Sequence, residues 1–133
     1  MTEQFHYLEI DDLVDLAARL LGDPPPIRDL GLLSGASTRP RATVLGADAY
    51  PDLSSKAAAL LQSLVKHHPL VDGNKRLGWL ATAVFLEING VDTTRISNDD
   101  VYRFVMDVAA GEHEVDQLRE GLQRLAEGER DHG

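Results

Sequence analysis

Nine consecutive residues, His68-Pro69-Leu70-Val71-Asp72-Gly73-Asn74-Lys75-Arg76, gather side chains that could do chemistry together. His68 is a side chain of the kind that can take a proton from a hydroxyl. Asp72 is a hard oxygen ligand of the kind magnesium accepts when it also touches phosphates. Gly73 allows close approach of the backbone to a ligand. Asn74 is a good N-cap residue, so the spacing predicts that a helix starts there. The first N–H groups of that helix have no internal partners, and its dipole adds partial positive charge, a combination that attracts phosphate. Lys75 and Arg76 then fall on the first turn, where cations oppose the dipole; a bound anion would account for them.

Taken singly, these residues have plainer readings. A histidine beside a loop is more often a surface or capping residue, Asp72-Gly73-Asn74 is ordinary turn chemistry, and Lys75 with Arg76 would make a solvated patch. The set in this order is what points to a site. His67 adjoins His68 but reads as structural.

The elements around the motif follow from periodicity. After it, Leu77, Leu80, Ala81, Val84, Phe85 and Ile88 form one stripe at helical spacing, closed by Asn89-Gly90, and this helix, about 75–88, reads as the central one. Before it, Ala57, Leu60, Leu61, Leu64 and Val65 mark a helix capped by Asp52 behind Pro51, which delivers the chain to His68. Further upstream, Phe5 to Ile10 reads as a short strand or extended lead-in. Leu13, Leu16, Ala17, Leu20 and Leu21 give a helix with Asp11 or Asp12 as its cap, ended by Gly22-Asp23 and three prolines, Pro24 to Pro26. Residues 27–35 can form a short helix. Residues 36–51 lack period, and Ala42-Thr43-Val44-Leu45 followed by Gly46-Ala47-Asp48 is either a small hairpin or a plain loop. Downstream, Ser97 with Asp100 resembles a capping box. Val101, Phe104, Val105, Val108 and Ala109 mark a helix ending at Gly111, and Val115, Leu118, Leu122, Leu125 and Ala126 mark another. The polar tail, 128–133, reads as frayed.

The sum is five or six helices in one domain, 1–133: an all-α, compact helical bundle with at most a small β-hairpin flap. With 133 residues, 43% of them hydrophobic, the chain can build one core. It has no cysteine, hence no disulfides and no thiolate metal site, which fits a cytoplasmic location. No apolar run is long enough to span a membrane, and the N-terminus does not read as a signal peptide. The net charge of −9 is concentrated in acidic stretches at 1–25 and 97–133, whereas 66–76 is positive, from Lys66, Lys75 and Arg76 against Asp72. Without a basic stripe, direct nucleic acid binding is not expected.

His-x-x-x-Asp-Gly-Asn-Lys-Arg before an apolar helix resembles the active-site motif of the Fic/Doc superfamily, usually His-x-Phe-x-Asp/Glu-Gly-Asn-Gly-Arg-x-x-Arg. Lys75 stands at the motif's second glycine and Trp79 at its second arginine, and both departures resemble the Doc (death-on-curing) toxin branch. Leu70 replaces the phenylalanine at a core-packing position. The flanks from Tyr50-Pro51-Asp52 to Asn89-Gly90 are similar too, those before residue 40 and in the last third less so.

The resemblance implies a toxin of a toxin–antitoxin pair that transfers the γ-phosphate of ATP to a threonine of elongation factor Tu and arrests translation. His68, Asp72 and Arg76 would be catalytic, Asp72 would hold Mg2+, and Gly73, Asn74, Lys75 and Arg76 would bind the nucleotide's phosphates. Residues 41–50 would correspond to a flap that docks the target segment. A cognate antitoxin is implied as partner. Some Fic proteins restrain themselves through a Ser/Thr-x-x-x-Glu-Gly/Asn helix; Gln123-x-x-x-Glu127-Gly128 matches it poorly, so Glu127 reads as a solvated helix-end residue. Three other readings stand beside the leading one: a Fic-type AMP transferase, a catalytically silent binding protein of the same fold, and a small metal-dependent hydrolase using His67, His68 and Asp72.

Overall fold

In the computed structural model, which describes residues 4–127, six helices and one hairpin follow in order. They are α1 (Ile10–Leu21), α2 (Leu30–Thr38) running into a 3₁₀ turn at Arg39–Arg41, the hairpin strands β1 (Thr43–Val44) and β2 (Ala47–Asp48), α3 (Leu53–Lys66), α4 (Asn74–Ile88), α5 (Asn98–Ala110) and α6 (Val115–Glu127). The fold is the expected helical bundle with a hairpin. The proposed frayed tail, 128–133, lies outside the described residues. No helix among them is long and apolar enough to cross a membrane.

The central helix is α3 rather than α4. It packs against α2, α4, α5, α6 and the 3₁₀ turn. Its residues Ser55 to Leu61 are all buried, because alanines at 57, 58 and 59 leave room for neighbours on sides that an amphipathic helix would give to water. The closest approach is to α4: a Cβ on Gly78 would fall 2.7 Å from Val65 Cγ2. On α4 the buried face is turned relative to the expected stripe. Leu77, Ala81 and Phe85 enter the core, joined by Gly78, Thr82 and Leu86 on the α3 side, while Ile88 is exposed.

The helix ends follow capping chemistry, with two corrections. Residues 5–9 are the extended lead-in and not a strand, and the cap of α1 is Glu9 rather than Asp11 or Asp12: α1 begins at Ile10, and the Glu9 N–H donates to the Asp12 carboxylate, now in the first turn, at 2.8 Å. Tyr7, in this lead-in, stacks on Phe85 with ring centroids 6.2 Å apart. The short second helix starts later than expected, at Leu30, because Asp29 accepts the Leu32 N–H at 3.0 Å and so sets the first turn. Asp52 caps α3 as anticipated, accepting from the Ser55 N–H at 2.7 Å, and Ser97 caps α5 through the Asp100 N–H at 3.1 Å. Helix α4 closes on Gly90 (φ +93°), with Gly90 N–H donating to Glu87 and Val91 N–H to Leu86, the paired bonds of a Schellman end.

Residues 43–48 form the hairpin. Thr43 pairs with Asp48 and Val44 with Ala47, and the two-residue turn Leu45-Gly46 has positive φ at both positions (52° and 81°), as a type I′ turn requires. A lysine with no solvent exposure sits under its base. Lys56 Nζ donates to the Pro40 carbonyl at 3.0 Å, lies 3.5 Å from an Asp48 carboxylate oxygen, and is 5.1 and 5.6 Å from the ring centres of Phe5 and Tyr7. A buried ammonium is tolerated when its protons have acceptors and aromatic faces around it. Lys56 thereby ties α3, the 3₁₀ turn, β2 and the N-terminal lead-in together.

Candidate active site

The loop between α3 and α4 is short and held from several sides. Pro69 and Leu70 are fully buried, so the motif's core-packing position is filled by Leu70 as expected. The chain after the three prolines runs beside this loop, making an isolated antiparallel bridge between Ile27 and Leu70. The N–H groups of Arg28 and Asp29 donate to the Pro69 carbonyl at 2.8 and 2.9 Å, and the Val71 N–H donates to the Pro26 carbonyl at 2.8 Å. Prolines lack an N–H and favour extended backbone, which leaves their carbonyls free to pair with a passing strand.

Within the loop two backbone positions are left-handed, His68 (φ +55°) and Gly73 (φ +89°). For histidine this costs on the order of 1–2 kcal/mol, and the following Pro69 already disfavours the helical alternative. Gly73, not Asn74, is the N-cap of α4, and Asn74 is its first helical residue. The expected Asn74 cap gives way because its side chain turns back on the loop: Oδ1 accepts the Leu70 N–H at 2.9 Å and Nδ2 donates to the Leu70 carbonyl at 3.0 Å. Besides close approach to a ligand, glycine at 73 has a packing reason. The space beside it belongs to Leu21 of α1.

His68, Asp72, Gly73, Asn74, Lys75 and Arg76 all line one groove of about 360 Å³, walled also by Val65, Val71 and Ala109. Every site residue singled out in the sequence is therefore in one place. His67 is not among the lining residues; it ends α3, donating its N–H to Ser63. Glu127 is exposed at the end of α6 and does not line the groove either. One Asp72 oxygen accepts the Gly73 N–H at 2.9 Å, and the exposed carboxylate presents the other. Lys75 and Arg76 are exposed and form no ion pair among the described residues. The first turn of α4, whose N–H groups have no partner inside the helix, lies at the same wall.

These features fit a bound polyphosphate and its magnesium. Among the described residues the groove gathers a carboxylate, two cations that form no ion pair, a helix N-terminus and an imidazole. A thiol- or histidine-rich metal centre does not fit, since no group of three His, Cys, Asp or Glu side chains among the described residues is arranged to hold a metal.

Two parts of the surroundings escaped the sequence reading. The first is Arg28. Its guanidinium spans the loop from outside, Nε donating to the His68 carbonyl at 2.8 Å and Nη2 to the His67 carbonyl at 3.1 Å. A lone arginine after three prolines was the available signal. The second is an apolar groove of about 430 Å³ that shares Lys75 and Arg76 with the first and continues over Leu20, Trp79, Leu80 and Tyr102. Trp79 and the outward edge of the α4 stripe supply its floor.

Comparison with known proteins agrees with this geometry. The pattern describing the Fic/DOC family matches residues 7–86, from the N-terminal lead-in through most of α4. Over 91 residues the chain is 54% identical to the protein named toxin Doc of Mycolicibacterium smegmatis, a stretch that covers 68% of each of the two chains.

Proposed function

The chain belongs to the Fic/DOC family, and from that premise we propose that it is the toxin of a toxin–antitoxin pair, a Doc-like kinase that moves the γ-phosphate of ATP onto a threonine of a target protein. The observation carrying this reading is the convergence of His68, Asp72, Lys75 and Arg76 on one groove at the N-terminus of α4. His68 takes the proton of the acceptor hydroxyl as its oxygen attacks the γ-phosphorus, whose bond to the bridging oxygen breaks and releases ADP. Asp72 would hold magnesium, which would neutralise phosphate charge. Lys75, Arg76 and the backbone N–H groups of Asn74 and its neighbours hold the phosphates, while the Asn74 side chain braces the loop. Transfer of this kind depends on positioning and charge neutralisation more than on covalent chemistry. Elongation factor Tu is the proposed target, and arrest of translation the outcome.

Lys75 favours phosphate over AMP as the group transferred. A glycine at that position leaves room for a diphosphate against bare backbone. A lysine fills the space and brings a point charge suited to a phosphate in flight. Restraint by a separate antitoxin is part of the proposal. The apolar groove beside Lys75 and Arg76 gives such a protein a place to lie across the site, and Glu127 lies away from the groove.

Purified elongation factor Tu incubated with the protein, ATP and magnesium, then analysed by mass spectrometry, tests the reading. A phosphate adduct on a threonine is expected, and it must be absent with His68→Ala. An adenylyl adduct would replace the kinase with an AMP transferase, and no adduct of either kind would overturn the proposal.

A further inference from the structure

Among the described residues, Leu45 and His68 hold a positive φ without being glycine. Leu45 belongs to a hairpin turn that demands it. His68 belongs to no such turn, and Arg28 lies against its backbone, Nε on the His68 carbonyl at 2.8 Å and Nη2 on the His67 carbonyl at 3.1 Å. Those two carbonyls belong to the two peptide planes that flank the His68 Cα. The angle between these planes is what φ and ψ of His68 describe. A planar guanidinium bound to both holds them in one mutual orientation, which a single point charge cannot do. The neighbouring backbone bonds from Arg28 and Asp29 to Pro69, and from Val71 to Pro26, fix where the fork sits.

We propose that Arg28 is a positioning residue for His68: by bridging consecutive carbonyls it selects the left-handed backbone that presents the imidazole to the groove. The inference rests on the reading of His68 as the general base, and it adds a residue from the segment between α1 and α2 to the machinery. It also accounts for an arginine in the segment that runs beside the motif.

The test compares the wild-type chain with Arg28→Ala and Arg28→Lys, the second keeping the charge while losing the fork. Two readouts are used: kcat and KM for ATP in transfer to elongation factor Tu, and the HN–Hα coupling of His68 by NMR, which reports its φ. Because Arg28 is exposed, both variants should fold, as circular dichroism would verify. A misplaced base costs about 10²-fold in rate, so kcat should fall by that order in both variants, with KM for ATP within about twofold of wild type. The His68 coupling should move away from its wild-type value. Wild-type kcat in Arg28→Ala, full recovery in Arg28→Lys, a loss expressed in KM, or an unchanged coupling would each overturn the assignment. If the wild-type chain transfers nothing, the proposed function fails separately, and the coupling alone decides the role of Arg28.

Discussion

Leu21 occupies the space that any side chain at position 73 would need: a Cβ on Gly73 would lie 2.7 Å from Leu21 Cδ1 and 2.8 Å from Cδ2. The last residue of α1 thus abuts the N-cap of α4, and the start of that helix is set by packing from behind. Gly73→Ala meets both this contact and the strain of φ +89°, and should lower stability by about 1–3 kcal/mol. In a cycle with Leu21→Ala, read by chemical denaturation, only the contact part should be relieved. Full additivity of the two changes would remove Leu21 as the reason for glycine.

Removing the imidazole should separate catalysis from binding. With His68→Ala, transfer should fall by about 10²–10⁴-fold, since a general base acts in the transition state, while ATP affinity stays within a few-fold. Single-turnover kinetics with equilibrium nucleotide binding measures both. A variant that arrested growth at the wild-type dose would exclude His68 as the base.

Asp72→Asn exchanges a hard anionic ligand for a neutral amide. The magnesium concentration giving half-maximal transfer should rise about tenfold or more. An unchanged titration would take Asp72 out of the metal site.

The cap of α3 carries a pH signature. Burial acts to raise the Asp52 pKa, but hydrogen bonds from the Ser55 hydroxyl and N–H and the charge of Arg119 outweigh it, leaving the carboxyl below its ordinary 3.8. A carboxyl with a lowered folded pKa contributes stability that is present above its unfolded value and lost as pH falls through the folded one. Asp52→Ala should therefore cost about 1 kcal/mol near neutrality, with the gap to wild type narrowing below the unfolded pKa. Thermal unfolding of both proteins across that range gives the comparison; a gap that widened on acidification would contradict the stated causes.

Replacing Lys56 by methionine keeps the volume but leaves the Pro40 carbonyl and Asp48 without their partner. A loss of roughly 1–3 kcal/mol is expected, with faster amide exchange in 42–49. Exchange confined to α3 would show that Lys56 does not hold the hairpin.

What the sequence made legible is what is local. His68 to Arg76 come together because they are neighbours in the chain, and the caps at Asp52 and Ser97 act within one turn. What it hid are side-chain partners that spacing does not announce. Asn74 looks like a cap until its amide is seen to prefer Leu70, and the packing demand on Gly73 comes from Leu21, in another helix. Arg28 lies forty positions from His68, and its place after three prolines was too weak a signal to announce the pairing. The primacy of α3 was hidden for a different reason: small residues at 57–59 weaken the stripe by which a helix is recognised, yet they are what lets other helices surround it.

A helix enclosed on every side is finished only when its last neighbour arrives. During synthesis α3 leaves the ribosome well before α6, which must close over it, and until then the strut under His68 has one bare flank. The loop that carries His68 is thus settled only after α6 has emerged and packed on α3.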